Sequence, residues 1–219
     1  MKSHFFISLK YLFLNFLFVV CFQSCIDINL KSNYPEIKYY KLSQTPTHTT
    51  DAISLIIDKS IYIKIFATNS DLATSKIIVS EDNWTTKRYN YHQWISPLNE
   101  LLTDFTVNRM SKYGTFRKGI LNSTSLVNTD LVLECTIVDF VINNSTTTDR
   151  PNNVELAIAA TLLTSNRESL DYIPIFSKTY SKSLARKDNS METAVDALSK
   201  IMAEINDEMI IDIYNNVVK

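Results

Sequence analysis

The sequence predicts an α/β layered sandwich: a mixed β-sheet covered by two main helices. Three observations lead there. The stretch "TDLVLECTIVDFVI", 129–142, is apolar at odd and even positions alike, as a strand with layers above and below it requires. Two segments, opening near Ser96 and Asn189, repeat apolar side chains at steps of three and four. Around them lie short runs of β-branched and aromatic residues separated by polar connectors.

Residues 1–24 read as a leader. Lys2 and Lys10 supply a positive start, and "YLFLNFLFVVCF", 11–22, is an apolar core broken only by Asn15. It is short for a bilayer span, which takes about 20 apolar residues, and suits a signal-peptide core. Cys21 and Cys25 alone make a poor zinc site, because zinc takes four N/S ligands and no second cluster follows. A disulfide would lose Cys21 when the leader is removed. The pair Ser24-Cys25, a small residue before a thiol, fits a bacterial lipoprotein signal in which Cys25 becomes the acylated N-terminus. An ordinary cleaved leader and an uncleaved anchor are the alternatives. Residues 25–35 are then a tether, and ten extended residues reach at most about 33–36 Å. Ile26 after the cysteine leans toward the outer rather than the inner membrane, on the periplasmic side.

The remaining chain, 36–219, reads as one domain. "EIKYYKLS" (36–43) is a strand by composition. "SLIID" (54–58) and "SIYIKIFA" (60–67) form a second strand region, with Ile61, Ile63 and Ile65 on one face. "SKIIVSE" (75–81) and "WTTKRYNYH" (84–92) flank a turn at Asp82-Asn83. The first helix takes Ser96 as cap, Pro97 as first residue, an apolar stripe of Leu98, Leu101, Leu102 and Phe105, and Gly114 as left-handed terminus. "TFRKGILN" (115–122) reads as a strand. In the central strand Leu131, Leu133, Cys135 and Ile137 point one way, and Val132, Val138, Phe140 and Ile142 the other. "VELAIAATLLT" (154–164) is another apolar strand whose Ala157 and Ala159 would let a helix approach closely. "YIPIFSKTYSKSLA" (172–185) alternates more clearly, as a strand nearer an edge does. The last helix has Asn189 as cap, Glu192 in capping-box spacing, and a core stripe of Ala194, Leu198, Ile201, Ile205, Met209, Ile213 and Val217.

Composition narrows the function. Among 219 residues, 22 basic and 23 acidic side chains leave a net charge of −1, which gives nucleic acid no electrostatic footing. Gly114 and Gly119 are the only glycines, so no phosphate loop or dinucleotide fingerprint is possible, and no cofactor is expected. Of the three histidines, His4 lies in the leader, His48 in a Thr-rich connector and His92 among aromatics; only His92 is a candidate general base, for a secreted hydrolase. Cys135 reads as an inert core thiol. Glu134 and Asp139, five apart, should face opposite sides, so no carboxylate pair is expected, and the chain is read as a non-enzyme. "KRYNYHQWISP", 87–97, sets Tyr89, Tyr91 and Trp94 ahead of the proline-started helix. These aromatics either fill the space between strand end and helix or form an exposed patch that docks a partner.

Taken together, the leader, the "YYKLS" strand at 39–43, the strand pair ending in Tyr-x-x-Trp and then Pro, the cadence of "TDLVLECTIVDF" and the last helix resemble the ABC-type transport auxiliary lipoprotein family, including its paraquat-inducible branch. Trp94 and Pro97 match that family's Trp-x-x-Pro signature, and the resemblance covers 36–217. It implies a periplasmic lipoprotein that accompanies ABC transporters carrying MCE-domain subunits, systems that move lipids across a Gram-negative envelope. It also implies a fold like the anticodon-binding and TolB N-terminal domains, no active site, and a domain that binds the MCE subunit or its own copies. The other non-catalytic reading is an outer-membrane scaffold lipoprotein with no transporter.

Overall fold

The computed structural model describes residues 35–44, 55–82, 84–121, 129–144, 151–165 and 171–218. In chain order the elements are β1 (Lys38–Tyr40), β2 (Ile61–Ile63), β3 (Lys76–Ser80), β4 (Thr86–Trp94), α1 (Leu98–Tyr113), β5 (Ile120–Leu121), β6 (Leu131–Asn143), β7 (Asn153–Ser165), β8 (Tyr172–Ala185) and α2 (Met191–Val217).

The long apolar strand β6 is the hub of one mixed sheet. β7 runs antiparallel along one side of it, and β8 follows as the edge. The other side of β6 is shared: β2 pairs parallel with Leu131–Leu133, Ala67 bridges to Thr136, and β3 meets it where Ser80 stands opposite Asn143. β5 lies beyond β2, while β4 pairs antiparallel with β3 and β1 parallel with β4.

A bulge in β6 between Ile137 and Asp139 corrects the expected division of its faces. The surplus residue, Val138, is 55% exposed. Past it the alternation changes phase, so Phe140 and Ile142 rejoin the face of Leu133, Cys135 and Ile137 instead of opposing it. Both faces are buried only at the two ends of the strand, over Leu131–Leu133 and at Ile142–Asn143. β7 alternates without interruption: Val154, Leu156, Ile158, Ala160 and Leu162 are buried, and α2 packs over β7 and β8. Lys178, Tyr180 and Lys182 of β8 reach Asp212, Glu204 and Glu208 of α2, which places the helix on that face. Ala157 and Ala159 lie on the opposite face, so the close helix approach expected there is not made by α2.

Both helices start one residue later than their sequence signals. Pro97, not Ser96, occupies the cap position of α1 with φ −49° and ψ 142° and no side-chain cap; the N–H of Leu98 donates instead to the carbonyl of Thr74 at 3.2 Å. Gly114 ends the helix at φ 63°, a left-handed conformation that costs a residue without Cβ little. Ser190, not Asn189, caps α2 by accepting from the N–H of Thr193 at 3.3 Å. The expected stripe of α2 from Ala194 to Ile213 is buried.

Asp130 closes the entrance to β6. Its Oδ2 accepts from the N–H of Ser60 at 2.9 Å and from its hydroxyl at 3.1 Å, with the Lys118 ammonium 3.7 Å away. The Ser60 hydrogen bonds hold its carboxyl below the usual range against the opposing effect of burial. Asp130→Ala is expected to lower stability at pH 7 by about 1–3 kcal/mol in urea denaturation. A depressed folded pKa adds stability above the unfolded value, about 3.9. The gap between wild type and variant should therefore close as pH falls through the folded value. A gap that stays constant down to acid unfolding would contradict this role.

Candidate functional site

The aromatic segment of β4 owes its shape to surplus length. Lys76 stands opposite Gln93 and Ile78 opposite Arg88, so two steps along β3 correspond to five along β4. The excess lifts Tyr89–His92 out of the regular ladder and re-aims their side chains. Tyr89 turns inward, its ring edge-on to His92 at 5.5 Å and its hydroxyl accepting from Asn144 Nδ2 at 3.4 Å. Tyr91 points outward and is 40% exposed.

Trp94 sits past the bulge and is 1% exposed. Its ring tilts against Phe140 at 6.5 Å, and the backbone N–H of Trp94 donates to the carbonyl of Ser75 at 2.7 Å. The three aromatics therefore do not form one exposed patch: Trp94 is core, Tyr89 is half-buried, and Tyr91 alone faces solvent freely. A recess of about 10 Å³, bounded by Leu72, Ile78, Trp94, Leu98 and Phe140 and at its rim by Asp71, Thr74 and Lys76, has room for roughly one water.

His92 belongs to a chain of contacts that joins three elements. Its Nδ1 lies 2.8 Å from the Tyr40 hydroxyl and the two rings stack at 5.7 Å. The same hydroxyl reaches Glu192 Oε1, in the first turn of α2, at 3.3 Å. Burial, reinforced by the Glu192 carboxylate, raises the Tyr40 pKa, which keeps the phenol protonated. The contacts tie β1 and β4 to α2 and occupy Nδ1 of His92. Tyr40 has no signal of its own in the sequence, and Glu192, expected there as half of a capping box, reaches Tyr40 instead, a contact that spans 152 residues.

Cys135 is 3% exposed, and burial pushes its thiol well above the ordinary range. Glu134 and Asp139 do not face opposite sides as expected. The β6 bulge puts both on the face opposite the core, opposite Thr161 and Ala157. Five strand residues still separate them by roughly 16 Å, too far for a carboxylate pair. Glu134 is engaged by Lys64. Among the described residues no group of three or more His, Cys, Asp or Glu could hold a metal ion. Cys21, Cys25, His4, His48 and Asn83 lie outside the described residues.

Arg186, 8% exposed, was also not anticipated. Its guanidinium donates to the Asn143 carbonyl, to Asn144 Oδ1 and, at 3.2 Å, to the Ser190 carbonyl. It thereby fastens the end of β6 to the cap of α2. Arg186→Ala should cost about 1–3 kcal/mol by leaving those acceptors unsatisfied; equal urea midpoints for variant and wild type would contradict the network.

No family model and no curated protein matches the chain. Among solved structures it is similar to the protein XCC0632 from Xanthomonas campestris, described under the family model DUF330, with a TM-score of 0.64 and 14% identity over 80% of this chain and 91% of that one. The two share a fold. An uncharacterized protein is similar at TM-score 0.55 and 16% identity, over 83% of this chain and 99% of its own. The mixed sheet with two helices is thus a known architecture, seen in the XCC0632 protein, and no catalytic family is indicated by either likeness.

Proposed function

We propose that the protein is a lipid-anchored accessory subunit of an ABC/MCE-type transport system that moves lipids across a two-membrane envelope, acting by docking rather than catalysis. The observation that carries the reading is the order of parts. An apolar leader ends at Ser24-Cys25, a short tether follows, and Glu36–Lys219 packs as one compact unit. Cleavage and acylation at Cys25 leave that unit whole at the end of its leash. Each buried CH2 of the acyl chains adds about 0.8 kcal/mol, and two or more chains hold stably. The resemblance to transport auxiliary lipoproteins supplies the partner, an MCE-domain subunit. The engagement of His92 by Tyr40 and the burial of Cys135 agree with a domain that works by contact.

Cells fed a clickable fatty acid should incorporate it into the wild-type chain and not into Cys25→Ala. The wild-type protein extracted in mild detergent should carry an MCE-domain subunit with it. A native N-terminus that is unmodified, or that begins elsewhere than residue 25, ends the anchoring part of the proposal. A labelled protein that brings down no transport subunit ends the transporter part.

A further inference from the structure

β1 and β4 pair in parallel, with Lys38 opposite His92, Tyr39 opposite Gln93 and Tyr40 opposite Trp94. Opposed residues in a parallel pair share a face, and neighbours along each strand alternate. One face therefore carries Tyr40, His92 and Trp94, turned toward α2 and the core. The other carries Tyr39 and Gln93, and the exposed side chains of Ile37, Lys41, Tyr91 and Ile95 lie next to them along the two strands. This second face is open: Ile37 is 41% exposed, Tyr39 62%, Tyr91 40% and Ile95 61%. Lys76, opposite Gln93 on β3, stands at its margin, where it also lines the recess by Trp94 beside Asp71.

The chemistry of the face is narrow. It combines two tyrosines and two isoleucines with Lys41 and Lys76, both exposed, and none of the residues assigned to it is acidic. Neither lysine enters any of the ion pairs among the described residues, whereas Lys38, Lys87 and Arg88 nearby are each matched to a carboxylate. Tyrosine, with an apolar ring and a polar tip, prefers the boundary between hydrocarbon and water. Unmatched lysines beside it favour an anionic surface. The described chain enters this face directly: Pro35 ends the tether, and Ile37 is the first residue of the patch.

We infer that the outer face of β1 and β4 rests on an anionic phospholipid bilayer, the one to which the chain is tied. The inference rests on the anchored reading above. A tether of about ten residues keeps the local concentration of bilayer near the millimolar range, so a small amphipathic patch is sufficient to set the orientation of the domain. That orientation leaves α2, on the other side of the sheet, turned away from the lipid.

The test uses the purified full-length product reconstituted into vesicles, with a spin label at Gln93→Cys in the patch or at Asn215→Cys on α2. In vesicles of phosphatidylethanolamine and phosphatidylglycerol, the label at 93 should be shielded from a water-soluble nickel chelate and the label at 215 should not. Lys41→Gln with Lys76→Gln should lower shielding at 93 by about tenfold, with unchanged circular dichroism. Tyr39→Ser with Tyr91→Ser should abolish it; if that pair unfolds the domain, the lysine pair decides. A label at 93 that stays as accessible as the one at 215 overturns the inference. So does shielding that appears only when a purified MCE-domain subunit is added, which would assign the face to a protein. Flotation on pure phosphatidylcholine reports the lipid anchor independently, so failure of the anchor and failure of the face give different results.

Discussion

Asp207→Ala is expected to lower the unfolding free energy by about 3–5 kcal/mol in urea titration, a large share of the roughly 5–15 kcal/mol that holds a domain together. Asp207 on α2 and Arg109 on α1 meet in a two-pronged pair, Nε to Oδ1 at 2.8 Å and Nη2 to Oδ2 at 2.8 Å, with both side chains 3% exposed. The guanidinium also lies over the Tyr113 ring at 5.1 Å. Moving two charges out of water is costly, and the parallel hydrogen bonds offset that only while both partners are present. Removing the carboxylate strands a cation between two helices. Replacing both, as in Arg109→Met with Asp207→Leu, should restore stability to near the wild-type value, because apolar side chains of similar volume need no such compensation. A loss below about 1 kcal/mol for Asp207→Ala would mean that water reaches the pair. The expected non-additivity assigns the pair a role in fixing the register of α1 on α2 rather than in net stability.

What the sequence revealed and what it hid follow from the range of the interactions. The stripe Leu98, Leu101, Leu102 and Phe105 and the stripe of α2 from Ala194 to Ile213 are buried, with Val217 only partly so, because their period is set locally by the helix. β8 covers 172–185 as read, and it is an edge. The short strands are shorter than their composition predicts. "EIKYYKLS" yields only Lys38–Tyr40, since Leu42 must turn into the core and the N–H of Ser43 is taken by the Ser199 hydroxyl at 3.0 Å. β2 stops at Ile63: Phe66 is buried with its N–H on the Thr103 hydroxyl at 3.0 Å, and Ile65 is left 51% exposed. "TFRKGILN" keeps only Ile120–Leu121 as strand, with Phe116 bridging to Ile57. The two bulges were invisible because an extra residue announces itself only against a partner strand. They changed the most, returning Phe140 to the core face and separating Tyr89 and Trp94 from Tyr91. Arg109 and Asp207, 98 residues apart, carry no local signal at all.

Trp94→Ala and Tyr91→Ala, three positions apart on one strand, should behave as if they belonged to different proteins. Trp94→Ala removes a fully buried indole from between Phe140, Leu98 and Leu72, and should cost about 3–5 kcal/mol. The cavity cannot collapse easily, because the Trp94 N–H is fixed to Ser75 and the next residue is fixed to Tyr40, the N–H of Ile95 donating to its carbonyl at 2.9 Å. Tyr91→Ala takes a side chain from the surface and should stay within about 0.5 kcal/mol of wild type. Fluorescence separates the two tryptophans: Trp84 is 93% exposed and Trp94 1%, so Trp84→Phe should leave a blue-shifted emission that moves red only on unfolding. Equal urea midpoints for the two alanine variants, or red-shifted emission from native Trp84→Phe, would place Trp94 at the surface. The contrast matters for function, because any partner or membrane binding lost in Trp94→Ala would report a loosened core. Binding lost in Tyr91→Ala at full stability would report the face itself.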